Sequence, residues 1–439
     1  MFQTLVNAFK QKDIRKKLLI ILAILLVYRI GCWIPIPGLN IEEGGVIAGL
    51  AGQDFLSLLS AVSGGALANG SLLALGVVPY ISASIIMQLL TVAIPPLERL
   101  SRAGEDGRKK IALYTRIAAL VFSIIQAIAI VVALNGNGAI NTTLFGDATP
   151  AWIVPAIIVL VLVAGGMFTL WLGEKITDLG IGNGVSLMVF VGILSSAGTA
   201  LLNAVKGASD ISVLWDIIIF VAILIVIFAA IVFVDLAERK IPVQYAKQVK
   251  GRKMYGGQST MIPIKVNSNG VLPIIFATAL VTFPQLIIQM FWPDSGANAW
   301  YAEWLGAGTP LYFVFNALFI FFFSYFYSQI TFNPEEVSRN LQQSGGFIPG
   351  IRAGRPTTDY LKKISGRITF FGASYLTIIF IIPTLIFSIL GLGIGAADTN
   401  TMLNAFSVTG MLIVVSVALE FDKQLDAQML MKNYRGFLK

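Results

Sequence analysis

Residues 53–90 read QDFLSLLSAVSGGALANGSLLALGVVPYISASIIMQLL, and the reading of this stretch decides the fold. Its first piece is apolar and small until Gly64-Gly65 and Asn69-Gly70 interrupt it. It is shorter than the roughly twenty residues a membrane-spanning helix needs. The piece that follows, from Ser71 to Leu90, has the length. A short segment, two glycine-marked breaks and then a full span predict a half-helix that enters the membrane region and turns back. Non-helical backbone at that depth is tolerated only where it is buried in protein or lines a water-filled cavity. The stretch therefore predicts a protein with a water path through its middle.

The rest of the chain agrees. Of its 439 residues 56% are hydrophobic and 12% charged, against about 25% charged in soluble domains. Windows of about nineteen residues mark ten apolar segments, near 18–37, 71–93, 112–134, 151–172, 183–203, 213–234, 270–292, 309–331, 368–390 and 400–420. The fold class is an all-α polytopic membrane protein. The N-terminus is not a cleavable signal, because Lys10, Lys12, Arg15, Lys16 and Lys17 precede a full-length span. Lys and Arg concentrate in the N-tail, in the loops after spans two, four, six and eight, and in the C-tail. The positive-inside rule then places both termini in the cytoplasm. Phe2, Leu5, Val6 and Phe9 against a basic face predict a short interfacial helix in the N-tail or, equally, a solvated tail.

Several chemistries are excluded. The chain has no His and a single Cys, Cys32, so imidazole sites, disulfides and cysteine metal clusters are out. It carries no nucleotide-binding, hydrolase or zinc-protease motif, and no cofactor, metal or enzymatic activity is expected. The apolar stretches are also nearly free of ionisable groups, which ion-coupled transporters normally keep inside the membrane. Arg29 is the exception within span one, where pairing with a neighbour or reaching to an interface is the simplest role.

Two polar loops are long, 235–269 and 332–367, and mix basic residues with apolar ones. Long loops in compact proteins tend to bind, and this composition admits phosphate-rich RNA, anionic lipid head groups or an acidic protein patch.

An internal echo points to the path itself. Span two begins Gly76-Val77-Val78-Pro79-Tyr80-Ile81 and span seven begins Gly270-Val271-Leu272-Pro273-Ile274-Ile275. Five spans separate them, so two such halves have opposite orientation, and inverted repeats with Gly/Pro-marked segments place a pathway at the interface of the halves. Val77 and Ile81 are spaced i,i+4, and Ile275 takes in span seven the place of Ile81. Singly, each is an ordinary lipid-facing or packing residue. A ring of them would gate by dewetting with no chemical preference for its cargo, which suits a flexible polypeptide better than an ion. Ser82, Ser84, Gln88, Gln126, Thr278, Thr282 and Gln285 are uncharged polar groups in the spans that otherwise serve as helix–helix glue.

SGGAL (63–67), LGVVPYISASIIMQLL (75–90), WLGEKIT…GIGNGVS (171–186), YAKQVKGRKMYGGQST (245–260), KVNSNGVLPIIFA (265–277) and FNPEEVSRNLQQSGGFIPGIR (332–352) together resemble the SecY family, the central subunit of the bacterial protein-conducting channel. The resemblance runs from the first span through the tenth. It implies two inverted five-helix halves, 1–202 and 213–439, hinged at 203–212. It implies a re-entrant plug half-helix at about 54–69, including Phe55, Leu56, Leu59, Val62, Gly64 and Gly65. The positions matching the family's pore ring are Val77, Ile81, Val189, Ile275 and Ile413, two of them Val where Ile is frequent. Ser82, Gln126, Thr278 and Phe283 match the lining of a lateral gate between spans two and seven. Lys250, Arg252 and Lys253 in the first long loop and Arg352 in the second match the surface that docks the ribosome and the motor ATPase SecA. After Arg352 the sequence departs from the frequent Pro-Gly, reading Ala353-Gly354-Arg355-Pro356, and no role is carried over to Arg355. The implied partners are SecE-like and SecG-like small membrane subunits, SecA, the ribosome, signal sequences, nascent polypeptides and anionic lipids. The implied location is the bacterial plasma (inner) membrane. Two competing readings remain: a secondary transporter of small solutes on an inverted repeat, and a scaffold for RNA.

Overall fold

The computed structural model describes residues 2–39, 60, 63–136, 139–141, 150, 152–207, 211–245, 248–250, 253–255, 259–267, 270–291, 296–306, 309–389 and 408–436. Among them, six helical stretches are long and apolar enough to cross a membrane. A seventh is a broken one: Val78–Ala93 and Pro95–Ser101 meet at 106°. The chain divides into two compact units, one comprising Met1–Ile218, Thr282–Ala307 and Leu392–Lys439, the other Ile219–Val281 and Gly308–Gly391.

In the first unit, α1 (Phe2–Lys10) and α2 (Lys12–Gly31) are followed by a non-helical passage and then by α3 (Val78–Ala93). The short α4 (Pro95–Arg102) leads to α5 (Glu105–Gly136), α6 (Ile153–Asp178) and α7 (Gly184–Gly207). The N-tail is helical, and it packs on α2 and on the C-terminal helix α14 (Val408–Gly436), with Ala8 fully buried.

One expectation is corrected here. The span read as beginning at Ser71 becomes helical only at Val78, and residues 71–77 form buried turns. Gly76 has φ 53°, a left-handed value that breaks a helix. Pro79, which lacks an N–H, is tolerated only in a first turn. The turns are nevertheless apolar and sealed: Leu73, Ala74 and Leu75 are at most 1% exposed. Leu67, Ala74 and Leu75 pack with Ala127, Ile130 and Leu134 of α5 and Ile158 and Leu162 of α6.

The backbone of this passage is satisfied without a helix. Ile36 N–H donates to Gly70 O and Leu72 N–H to Ile34 O, each at 2.9 Å, so the passage pairs with the residues that follow α2, Pro35 bridging to Ser71. Within it, Ser71 N–H donates to Ala66 O at 2.9 Å and Gly76 N–H to Leu73 O at 2.9 Å. That accounting is what membrane depth demands of irregular backbone.

In the second unit, the end of α8 (Ile211–Leu236) runs into a small sheet. Strand β1 (Glu238–Tyr245) pairs antiparallel with β4 (Ser259–Lys265), Glu238 opposite Lys265 and Gln244 opposite Ser259. Its other edge pairs with β5 (Gly346–Phe347) from the second long loop. The order β4-β1-β5 therefore joins both long loops in one sheet. Ile241 and Val243 alternate with the polar face of β1. They bury against Ile264, Leu341 of α12 (Pro334–Gln343), Ile348, and Leu361 and Ile364 of α13 (Arg355–Ile389). Helix α9 (Leu272–Phe291) follows β4 and passes at Thr282 into the first unit, which also holds α10 (Gly296–Leu305). In the second unit Phe276 stacks on Tyr327 of α11 (Pro310–Thr331) at 4.9 Å between ring centres. Ser328 of α11 and Thr369 of α13 share a hydrogen bond of 2.6 Å, the kind of polar contact that joins helices in lipid.

Candidate pore, re-entrant turn and docking surface

The two halves of the sequence echo adopt one local geometry. Gly76 and Gly270 have φ 53° and 60°; helices α3 and α9 start two residues later, at Val78 and Leu272, each with Pro next. Ile81 N–H donates to Val77 O at 3.1 Å and Ile275 N–H to Val271 O at 3.2 Å. Val77 thus sits at the cap of α3 rather than inside it, still one turn below Ile81. Val77 is 2% exposed, while Ile81 and Ile275 are half-buried.

Among the other residues matched to the pore ring, Val189 of α7 and Ile413 of α14 are buried, and those two helices pack on each other. Val77, Ile81, Val189 and Ile413 belong to the first compact unit and Ile275 to the second. Of the residues matched to the plug, Phe55, Leu56, Leu59 and Val62 lie outside the described residues. Gly64 and Gly65 are described, in a turn with φ 75° and 81°.

The gate positions divide similarly. Ser82 on α3 and Gln126 on α5 lie on helices that pack together, with Ala83, Ala119 and Leu170 in their shared core. Gln126 is 7% exposed and its Oε1 has no hydrogen-bond partner among the described residues. Thr278 on α9 turns its hydroxyl back to Ile274 O at 3.0 Å and Ile275 O at 3.1 Å. The side chain of Phe283 lies outside the described residues, although its backbone continues α9.

On the long loops, β2 (Gln248–Lys250) and β3 (Lys253–Tyr255) pair so that Lys250 faces Lys253. Arg252, between them, lies outside the described residues. Arg352 is exposed, and its loop is built rather than loose. Thr357, 2% exposed, donates its hydroxyl to Arg352 O at 2.8 Å, and Ser338 of α12 donates to Gly354 O at 3.0 Å. Gly354, at φ 98°, then turns the chain into α13, which opens at Arg355 with Pro356 second.

Composition and spacing alone did not disclose the shared sheet or the partners of Arg29. The alternation of Ile241 and Val243 with Lys240, Pro242 and Gln244 is the period-two signal that marks β1. Arg29 binds Gly64, 35 residues away, and Ser195, 166 residues away, separations no local pattern encodes.

The sequence profile of the SecY family matches residues 71–421. The protein translocase subunit SecY of Streptomyces galbus is 42% identical over 452 residues, covering 100% of both chains. Among solved structures, one described as "The structure of a protein conducting channel" superposes with a TM-score of 0.59 at 18% identity, covering 93% of this chain and 91% of that one. Another, "Sec61 in the Canine ribosome-channel complex from the endoplasmic reticulum", gives a TM-score of 0.55 at 17% identity, with 93% and 91% covered. Nothing in these likenesses favours a solute transporter. The protein spans the membrane several times and conducts polypeptide rather than catalysing a reaction. The chain belongs to the SecY family of protein translocase subunits.

Proposed function

We propose that the conducting path is lined by a ring of Val77, Ile81, Val189, Ile275 and Ile413 and sealed at rest by the segment 54–69. Secretory polypeptides pass through it unfolded, and transmembrane segments leave sideways between the helices of spans two and seven. The observation that carries this reading is the duplicated Gly-Val-x-Pro-x-Ile geometry at the starts of α3 and α9. A repeat in inverted halves, 1–202 and 213–439 about a hinge at 203–212, accounts for two like entries into helix within one chain.

The mechanism follows from the side chains. A narrow ring of Val and Ile excludes water and ions by dewetting, yet yields around an extended chain because it makes no specific bonds. A signal sequence is an apolar helix and partitions between α3 and α9 from the lipid side. Its insertion parts the halves, displaces the segment 54–69 and widens the ring. Ser82, Gln126, Thr278 and Phe283 line that gate, and Gln126 Oε1, which has no hydrogen-bond partner among the described residues, is a polar group that such an event satisfies. The basic residues Lys250, Arg252, Lys253 and Arg352 dock SecA and the ribosome, a reading that rests on their match to the family's docking loops. SecE-like and SecG-like subunits complete the complex in a bacterial plasma membrane, with anionic lipids at its surface and both termini cytoplasmic.

Replacing Ile81 with Ser tests this reading. Vesicles holding the resting complex with Ile81→Ser should conduct ions and accept precursors with defective signals. Unchanged conductance together with unchanged signal stringency would remove Ile81 from the ring.

A further inference from the structure

The apolar part of α2, from Leu18 to Gly31, holds one charge, Arg29. Its guanidinium does not reach for an interface. Nη1 donates to Gly64 O at 3.2 Å, and Nη2 donates to Ser195 Oγ of α7 at 2.5 Å. The preceding residue, Tyr28, is 1% exposed and donates its hydroxyl to Ser63 O at 3.3 Å. Two consecutive side chains of α2 thus hold two consecutive carbonyls of the re-entrant turn. Gly64 has no room for a side chain: a Cβ there would overlap the Arg29 guanidinium and come within 2.9 Å of Gly192 Cα in α7. At the other end of the turn, Gly76 lies against Ser63, and a Cβ on it would sit 3.4 Å from Ser63 Cβ. Val77 is the next residue.

We propose that Arg29 is a positioning residue of the pore. It fastens Gly64 to α7 while Tyr28 holds the neighbouring Ser63, and because Ser63 stands beside Gly76 this anchor sets where Val77 is presented. The proposal rests on the reading that Val77 lines the path. Arginine suits the task because its planar fork offers several donors at fixed angles and stays charged. Bonds from a charged donor are strongest where water does not compete for the acceptors. Lysine keeps the charge but, as a point donor, does not span both acceptors; methionine removes both bonds while keeping the stem.

The test uses the whole complex in vesicles, with Cys32→Ser as background. A Ser63→Cys substitution reports exposure of the turn through its rate of modification by a small charged thiol reagent. Thr169→Cys, at a position 0% exposed in the core of the same unit, reports general loosening. Arg29→Met should raise the Ser63→Cys rate at least about tenfold, since the loss of even one of its two charged hydrogen bonds is worth that much. It should leave the Thr169→Cys rate unchanged and raise resting ion conductance. Ser195→Ala should act in the same direction and less strongly, and adding it to Arg29→Met should change nothing further, since the bond is already gone. Arg29→Lys should fall between wild type and Arg29→Met.

An unchanged Ser63→Cys rate, an equal rise at Thr169→Cys, or additive effects of Arg29→Met and Ser195→Ala would overturn the proposal. If Arg29→Met does not accumulate in the membrane, Ser195→Ala carries the same comparison with the arginine in place. Ile81→Ser is measured alongside. If it raises conductance and Arg29→Met does not, the positioning role fails while the pore reading stands. If Ile81→Ser leaves conductance unchanged, the pore reading itself fails.

Discussion

Gly76 and Gly270 share a left-handed backbone, φ 53° and 60°, and each stands just ahead of a valine whose carbonyl accepts the first hydrogen bond of a helix. Two such entries in one chain, 194 residues apart by their numbers, are built from the same parts. Glycine reaches the left-handed conformation at no steric cost, and proline in the first turn loses no hydrogen bond.

Alanine at either glycine tests whether the entry geometry is required. The left-handed backbone costs a residue with a Cβ roughly 1–2 kcal/mol. Gly76→Ala and Gly270→Ala should each lower the thermal midpoint of the purified protein. Gly198→Ala in α7, where a Cβ meets nothing within 4 Å, is the control. It should be neutral or stabilising by up to about 1 kcal/mol, the helix propensity gained. Equal midpoints for all three would mean that the entries tolerate another conformation.

The seat of the re-entrant turn on α6 makes a second test. A Cβ on Gly165 would overlap the Leu72 carbonyl, which is backbone in a residue whose N–H is bound to Ile34 O. A Cβ on Gly166 is crowded by the Ser123 hydroxyl at 3.0 Å, a side-chain atom rather than backbone, and meets Leu75 at an ordinary 3.7 Å. Gly165→Ala should cost about 1–3 kcal/mol as overpacking does, and Gly166→Ala less. Thermal unfolding of the two variants side by side checks the order.

How much of this was legible beforehand depends on what each residue advertises. That the chain crosses the membrane several times was legible because burial in lipid demands long apolar runs, and the break before α3 was legible in Gly64, Gly65 and Gly70. The true start of α3 was not, because Leu72, Leu73 and Leu75 are as apolar in a buried turn as in a helix. Hydropathy does not separate the two; Gly76 and Pro79 do. The pore-ring and docking residues entered through resemblance, and periodicity by itself would have left Val77 or Ile413 as ordinary packing residues. The role of Arg29 was closed to any local reading, since its acceptors come from the turn and from α7.

The loop around Arg352 separates charge from geometry. Arg352→Glu reverses the charge that docking to SecA or the ribosome would use, and should abolish motor-driven translocation. Thr357→Val keeps the charge and removes the hydroxyl that holds the Arg352 carbonyl at 2.8 Å, a loss of about 1 kcal/mol. It should weaken motor-driven translocation severalfold while leaving resting conductance unchanged. Translocation assays with purified motor decide between them: full activity in Thr357→Val would mean that the loop's shape is not read.

The central claim is that a polypeptide passes through the ring, and the single cysteine of the chain makes it directly measurable. With Cys32→Ser as background and Ile275→Cys as the probe, a secretory precursor carrying its own single cysteine is halted midway. The account predicts a disulfide between the two that forms only when the precursor and its motor or ribosome are both present. Absence of that disulfide, with none from Ile81→Cys or Ile413→Cys either and with small solutes protecting those sites, would contradict it.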